Sequence, residues 1–253
     1  MTAPAPRVRA SDLLRVMARS FLLQAIWNPE RQQGAGFAFA LRPVLTRLFG
    51  KAGEARALAR HTGYFNTHPA FASYALGAIG RLESDRAQGA EIPDEAVDRA
   101  KATLGPALAA LGDSLMWSTL RPVAAALGVT WVLAGSLWGP LLFLLLYNAL
   151  HLYVRVRGVM VGWRMGLGFW EVGMRRRLSR LRVGLRVGAV LGAVALADAM
   201  VRHVAAAPSP TAPGALVFGA ALGLAWGEGR RLSASLLGLG LFSLALAWAT
   251  LVR

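Results

Sequence analysis

The stretch "VAAALGVTWVLAGSLWGPLLFLLLYNAL", Val123 to Leu150, contains no charged side chain and decides the class of fold. A transmembrane helix needs about 20 consecutive apolar residues to cross the hydrocarbon core of a bilayer, and this stretch is longer than that. "GSLWGP", Gly135 to Pro140, interrupts it with residues that break helices. The stretch predicts an all-α integral membrane protein, with either one long kinked span or two short half-helices here.

The composition of the whole chain supports a membrane protein. Of its 253 residues 55% are hydrophobic and 16% are charged, against about 25% charged in soluble domains. Further apolar segments follow at Val187–Val201, Ala215–Gly227 and Leu232–Val252, and the last is long enough to span a bilayer. We expect transmembrane helices in the C-terminal third, with glycine stripes (Gly184, Gly188, Gly192 and Gly219, Gly223, Gly227) for close helix packing.

The net charge of +15, from 28 basic and 13 acidic residues, raises nucleic-acid binding as an alternative. The basic excess has a simpler source, because an arginine cluster directly precedes an apolar segment, as the positive-inside bias predicts for a cytoplasmic flank. We therefore predict no nucleic-acid partner and place the proline-rich turn at Ala205–Gly214 on the outer side. Because no typical signal peptide opens the chain, we also predict a cytoplasmic N-terminus. The cluster consists of Arg175, Arg176, Arg177, Arg180, Arg182 and Arg186.

The N-terminal third is more polar and reads as two helices around a break. Apolar residues recur at helical spacing from Ser11 to Trp27, which predicts an amphipathic helix capped by Ser11 or Asp12. Pro29 must end it near Asn28. A second helix is expected to start at once and reach Phe49, with Asn28 as its N-cap and Glu30 in its first turn.

Two segments of this region are predicted to face water, and one is not. Gly50–Arg60 and the acidic segment Glu83–Lys101 are rich in charge and read as exposed. Between them, Gly63–Gly80 is nearly uncharged but short for a span and contains a proline. It fits a re-entrant or buried hairpin, because irregular backbone at membrane depth needs protein or water to satisfy its polar groups.

Signatures of enzymes and of metal sites are missing. The sequence contains no Walker loop, G-x-S-x-G, H-E-x-x-H or dinucleotide glycine pattern. It contains no cysteine, which excludes disulfides, thiolate catalysis and Cys-ligated metals. His61 and His68 are expected to be packed or capping residues and not a metal pair. We predict no catalytic residue, no metal and no cofactor for this chain alone.

Three polar groups of residues occur where apolar segments break. They could recognise a neutral polyol, because carboxylates, amides and arginine bond to hydroxyls while tryptophan covers the C–H face of a sugar. They could equally cap helices and pair with one another, as polar groups in membranes usually must. The groups are Glu30, Gln33, Gly34 and Phe37 on one helix face; Asn66, Thr67 and His68 before Pro69; and Asp113, Trp117 and Arg121 at four-residue spacing.

At these residues the sequence resembles a known family. "FLLQAIWNPERQQGAGFAFALRPVLTRLFG", "YFNTHPAFASYALGAIGRLE", "GPALAALGDSLMWSTLRPVAAALG" and "GSLWGPLLFLLLYN" are similar, in this order, to the IID subunit of the mannose/fructose/sorbose-family phosphotransferase system (PTS). The resemblance implies a core region at residues 11–170, which carries the NPERQQ, NTHP and GDxxxWxxxRP motifs, followed by C-terminal transmembrane helices at residues 171–253.

The resemblance also implies partners and a location. An IID subunit pairs with IIC in the bacterial inner membrane to form a multi-pass sugar permease, served by the phosphocarriers IIA and IIB, for a sugar such as mannose, fructose or sorbose. IID carries no phosphohistidine, because IIB phosphorylates the incoming sugar. The implied substrate-binding or pathway residues are Asn28, Glu30, Arg31, Gln33, Asn66, Asp113, Trp117 and Arg121, and the implied structural motif residues are Pro29, Thr67, His68, Pro69, Gly112 and Pro122.

Two other classes of function remain as alternatives. A non-transporting chain could keep the fold and act as a regulatory or scaffolding membrane partner of the phosphocarriers. A self-contained membrane enzyme is the third class, which the missing pairing of a nucleophile with a base disfavours.

Overall fold

The computed structural model describes residues 7–169 and 183–184. Every regular element in that part of the chain is helical, with two isolated β-bridges and no strand. The predicted C-terminal helices, their glycine stripes and the proline-rich turn lie outside the described residues, apart from Val183 and Gly184. The elements are α1 (Ala10–Ser20), α2 (Gly34–Ala59), α3 (Ala72–Ala87), α4 (Asp94–Gly112), a π-helix (Asp113–Leu120), α5 (Arg121–Leu133), α6 (Gly139–Met165) and a 3₁₀ turn (Gly166–Phe169).

The chain divides into two compact units, residues 1–124 with 144–189 and residues 125–143 with 190–253. In the first unit, α1 packs on α2 and α3, while α3 also packs on α2, α4 and the 3₁₀ turn. Its core is built from fully buried large side chains, among them Phe37 and Phe65, whose ring centroids lie 4.4 Å apart.

Helix α1 ends at Ser20, earlier than its hydrophobic pattern predicts. The chain continues in tight turns from Phe21 to Ile26. These turns bury Leu23 and bring its carbonyl oxygen to within 1.8 Å of the position that a Cβ on Gly36 would occupy. Asp12 does cap the helix, but from its third residue, because its carboxylate accepts the N–H of Arg9 at 3.0 Å.

Helix α2 begins at Gly34, not at the predicted position next to Asn28. The helix contains two residues that depart from regular helical structure, Pro43 and Gly50. Pro43 has no N–H, so the carbonyl of Phe39 loses its helical partner, and Arg19 Nη1 donates to that carbonyl at 3.3 Å. Gly50, at φ 63° and ψ −178°, kinks the helix before its last turns, in the left-handed region that glycine enters without strain.

The apolar stretch Val123–Leu150 folds as parts of two helices, α5 and α6. Helix α5 ends at Leu133, Gly135 has φ 85°, and the N–H groups of Gly135 and Ser136 donate to Val132 and Trp131. This is a Schellman motif with glycine at its left-handed position. One described helix, Gly139–Phe169, is long and apolar enough to cross a membrane by length and composition.

Helices α3 and α6 pack through glycines in the first unit. A Cβ on Gly77 would lie 2.2 Å from the carbonyl oxygen of Val159, and one on Gly162 would lie 2.2 Å from that of Tyr74. Gly158 faces the Ser73 hydroxyl in the same way. Such small-residue faces let helices approach closely where lipid supplies no hydrophobic drive between them.

Candidate functional site

The first motif, Asn28 to Gln33, forms a turn that is held by hydrogen bonds between its own residues. Asn28 and Gln32 exchange backbone hydrogen bonds, and Asn28 Oδ1 accepts the N–H of Arg31 at 2.8 Å. Gln32 adopts φ 52°, the one positive φ of a non-glycine residue in the described part of the chain. Its side chain holds this conformation by accepting from Trp27 Nε1 at 2.9 Å and donating to the Pro29 carbonyl at 3.0 Å. Gln32 was not among the predicted site residues.

Gln33 joins this turn to the second motif. Its Nε2 donates to the Thr67 carbonyl at 2.7 Å, and its Oε1 accepts the Thr67 N–H at 3.1 Å. The backbones of the two motifs are also hydrogen-bonded to each other. Gln33 N donates to the Phe65 carbonyl, and Phe65 N donates to the Arg31 carbonyl. The NPERQQ and NTHP motifs, separate in sequence, therefore form one structure.

His68 joins the second motif to the third. A Cβ on Gly112 would lie 2.3 Å from His68 Cβ, so only glycine leaves room for the histidine. The His68 ring also contacts Trp117 edge-on, with centroids 6.3 Å apart. His61 and His68 are both buried, as packed residues.

The third motif begins a π-helix at Asp113. The Thr119 hydroxyl donates to the Ser114 carbonyl at 2.7 Å, five residues back, which matches the wider helical turn. Trp117 is 46% exposed, and the Arg121 guanidinium lies 4.5 Å above its ring, a cation–π contact. π-Helical turns are rare and occur frequently at functional sites.

The predicted site residues differ in exposure. Gln33 is buried, Asn28 is half-buried, and the rest face outward. Glu30 was expected on one helix face with Gln33, Gly34 and Phe37. It lies instead in the turn that precedes α2. Among the described residues no ion pair or side-chain hydrogen bond joins Glu30 or Asp113 to another predicted site residue. The outward-facing residues are Glu30, Arg31, Asn66, Asp113, Trp117 and Arg121.

Two cavities flank the NTHP loop. One, of about 420 Å³, lies against α4 and is lined by Tyr64, Asn66, Asp98 and Lys101 among others. The other, of about 300 Å³, includes His68, Pro69 and Trp117 together with residues of α6. The residues that α6 contributes, Tyr147, His151 and Arg155, were not predicted, although their four-residue spacing at the end of an apolar stretch was a visible signal.

The family model for the PTS mannose/fructose/sorbose family IID component matches residues 7–207. This chain belongs to that family. It is 44% identical over 168 residues to the mannose-specific EIID component of Escherichia coli K12 and 40% identical over 162 residues to the sorbose-specific EIID component of Klebsiella pneumoniae. These alignments cover 66% and 64% of this chain, and the chain spans 59% of the length of either relative.

A solved structure agrees with the assignment to the IID family. A chain from the cryo-EM structure of the mannose transporter ManYZ in complex with microcin E492 is similar at a TM-score of 0.62 and 38% identity. The match covers 76% of this IID chain and 71% of that one. The membrane character predicted from the apolar stretches fits this family.

The described part of this IID chain contains a buried cluster of charged residues that the sequence analysis did not predict. Glu83 and Lys101 were expected in water, but both are buried. Glu83 accepts from Arg60 Nη2 at 2.9 Å and bonds to His61 Nε2 at 3.0 Å, while Lys101 donates to the Arg60 carbonyl. The prediction was wrong because a charge pattern does not reveal that opposite charges pair across helices.

Protonation states in this cluster follow from burial and pairing. Burial lowers the pKa of His61 and outweighs the opposing hydrogen bond to Glu83. Burial alone would raise the pKa of Glu83, but hydrogen bonds from His61 and Arg60 hold it below its ordinary value. A neutral His61 with its proton on Nε2 therefore faces an ionised Glu83, and His61 Nδ1 is left buried without a partner in the described structure.

Proposed function

We propose that this chain is the IID subunit of a mannose-family PTS permease. It pairs with a IIC subunit to form the translocation pathway for a sugar such as mannose, fructose or sorbose. IIB, recharged by IIA, phosphorylates the sugar on uptake, so the chain itself is not catalytic. The curated relatives are named for mannose and sorbose, and the similar solved chain comes from a mannose transporter.

One observation carries this proposal: direct contacts link the three polar motifs in series. Gln33 fixes Thr67, and His68 packs on Gly112 and Trp117. This linkage supports one continuous polar surface that faces the sugar or the IIC subunit. Of the predicted residues, Asn28, Glu30, Arg31, Asn66, Asp113, Trp117 and Arg121 form this surface. The buried Gln33 holds it, together with Pro29, Thr67, His68, Pro69, Gly112 and Pro122.

The exposed carboxylates Glu30 and Asp113 are the strongest candidates for sugar contact. Both are exposed and unpaired among the described residues, although apolar side chains such as Ile26 and Trp117 are exposed near them in sequence. A carboxylate in an apolar setting is costly unless it has a partner or a ligand. Bidentate acceptance from neighbouring hydroxyls is the chemistry that a carboxylate offers a sugar.

The membrane arrangement is part of the proposal. Helix Gly139–Phe169 spans the bilayer, and residues 171–253 add further spans, with the arginine cluster and the N-terminus on the cytoplasmic side of the bacterial inner membrane. Residues 11–170 form the motif-bearing region, in which residues 63–80 enter the membrane without crossing it. The complete burial of Phe71, Ala75 and Ile79 means that protein covers this segment, as a segment with irregular backbone at membrane depth would require.

The test is co-purification of this chain with a co-expressed IIC subunit, followed by binding of radiolabelled mannose, fructose and sorbose to the complex. Saturable binding of one sugar supports the proposal. A stable complex that binds none of them contradicts it and favours a regulatory or scaffolding role, with the polar surface serving the subunit interface.

A further inference from the structure

The cavity of about 300 Å³ beside the NTHP loop has the properties of a second binding site. Four parts of the first unit line it: the turn after α1, the NTHP loop, the π-helix and helix α6. Its size lies at the lower end of the range for small-molecule sites. None of the described residues that line it is acidic; they are Phe21, Gln24, His68, Pro69, Trp117, Tyr147, His151 and Arg155.

Arg155 is the residue in this cavity that most needs a ligand. Its side chain is buried, with the residue 5% exposed. Its Nη2 donates to the Pro69 carbonyl at 2.9 Å and its guanidinium lies 4.6 Å above the Phe21 ring, but its Nε has no acceptor. No ion pair to Arg155 occurs among the described residues. A buried guanidinium without a counter-charge is costly, so the cavity favours an anion.

The two histidines add polar groups to the same cavity. His151 Nδ1 is buried without a hydrogen-bond partner. His68 Nδ1 accepts the N–H of Ala70 at 3.3 Å, which leaves the proton on the other ring nitrogen as a donor. With the free Nε of Arg155, these groups suit a ligand that presents several oxygen acceptors.

The rest of the wall is apolar and lies at a characteristic place along α6. Trp117 and Phe21 present aromatic rings, so the ligand also has room for an apolar part. Arg155 follows the apolar run of α6 and precedes Arg157 and Arg164, so it stands where that run gives way to basic residues. Basic pockets between helices at such a boundary are suited to lipid head groups.

We infer that this cavity binds a phosphate group, with Arg155 as the charged anchor and His151 and His68 as polar contacts. The phosphate comes either from the head group of an anionic phospholipid or from a soluble phosphate. This site adjoins the sugar surface proposed above, because Trp117 lines the cavity and His68 contributes to both. Its charged anchor Arg155 and the second contact His151 belong to this site alone.

The experiment uses the full chain co-purified with its IIC partner in nonionic detergent. Native mass spectrometry measures binding of phosphatidylglycerol against diacylglycerol, which lacks phosphate, and equilibrium dialysis measures binding of ³²P-labelled inorganic phosphate. Arg155→Gln should weaken binding about tenfold or more, the loss typical of a charged hydrogen-bonding group. Arg157→Gln is the matched control, since it removes an exposed charge two residues away and should change binding less than about threefold.

His151→Phe provides a second variant that keeps an aromatic ring at this position but removes both ring nitrogens. The free Nδ1 makes no hydrogen bond in the protein, so its loss should leave folding intact while weakening the bound phosphate. Binding of phosphatidylglycerol that depends on Arg155 supports a lipid, and binding of inorganic phosphate with the same dependence supports a soluble ligand. If neither ligand binds more weakly to Arg155→Gln and His151→Phe than to Arg157→Gln, the inference is wrong, and an acidic side chain of another subunit supplies the counter-charge.

Discussion

The side-chain amide of Gln33 pairs with the backbone of Thr67 as a peptide group would, donating at 2.7 Å and accepting at 3.1 Å. A residue at this position must offer a donor and an acceptor at once, which glutamine does at any pH and glutamate of the same length does only when it is protonated. Because both partners are buried, this pair fixes the NPERQQ turn against the NTHP loop. The geometry of the polar surface therefore depends on one side chain that does not face outward.

Replacing Gln33 should destabilise the fold. Gln33→Ala leaves the buried N–H and carbonyl of Thr67 without partners, and we expect a loss of about 2–4 kcal/mol, seen as a lower melting temperature of the purified complex. Gln88→Ala is the control, because Gln88 is exposed and bonds only to the Ser84 hydroxyl. Equal melting temperatures for the two variants would contradict the role assigned to Gln33.

The contact between Gly112 and His68 should tolerate no added methyl group. Gly112→Ala would place a Cβ 2.3 Å from His68 Cβ, and such overpacking typically costs about 1–3 kcal/mol. Gly63→Ala is a fair comparison, since a Cβ there meets nothing within 4 Å. The account predicts a lower melting temperature and reduced sugar uptake for Gly112→Ala only.

The buried pair of His61 and Glu83 should make stability depend on pH. The pKa of folded His61 lies below its ordinary value of 6.5, so the unfolded chain takes up the proton first as pH falls. The contribution of His61 to the free energy of unfolding is therefore full above pH 6.5 and declines below it. Glu83 adds a further loss at lower pH, because its folded pKa is also lowered.

His61→Gln tests this pH dependence, because glutamine keeps a donor for Glu83 but does not titrate. Melting temperatures of both proteins would be measured between pH 8 and 5. We expect the original chain to lose stability below about pH 6.5, the ordinary pKa of histidine, and the variant to lose less in that range. Parallel curves would show that His61 does not contribute.

Removing the charge of Glu83 should be more damaging than neutralising an exposed carboxylate. Glu83→Gln leaves Arg60 without its buried partner, and breaking a buried ion pair on one side costs about 3–5 kcal/mol. Glu91→Gln, at an exposed position, should change stability by less than about 0.5 kcal/mol. A similar melting temperature for both variants would mean that the cluster carries little stability.

The sequence predicted the features that depend on local patterns and missed those that depend on tertiary pairing. Helical character, the break at Asn28–Pro29 and the break within Val123–Leu150 follow from hydrophobic periodicity and from glycine and proline. The start of α2 at Gly34 was missed because Gln32 adopts a positive φ, which its bonds to Trp27 and Pro29 stabilise. No local pattern indicates those bonds.

The candidate site shows the same division. The three motifs were recognisable as three separate sets of polar residues at helix breaks, but their linkage through Gln33 and His68 could not be derived from the sequence. The burial of Glu83 and the cavity around Arg155 could not be derived, since each requires residues far apart in sequence to meet. Arg155, for example, donates to Pro69 across more than half of the described chain.

Neutralising Asp113 should stop transport without affecting insertion. Asp113→Asn keeps the size of the side chain, and Asp113 has no ion pair among the described residues, so the fold should not need the charge. We expect sugar uptake in cells to be abolished while the amount of chain in the membrane stays unchanged. Normal uptake would remove Asp113 from the proposed sugar path.

The most direct test of the proposed function is equilibrium binding of radiolabelled sugar to the purified complex of this chain with its IIC partner, comparing the original chain with Glu30→Gln and with the exposed control Glu91→Gln. The account predicts saturable binding that Glu30→Gln abolishes and Glu91→Gln preserves. Saturable binding that is unchanged in Glu30→Gln, or a stable complex that binds no sugar, would contradict it.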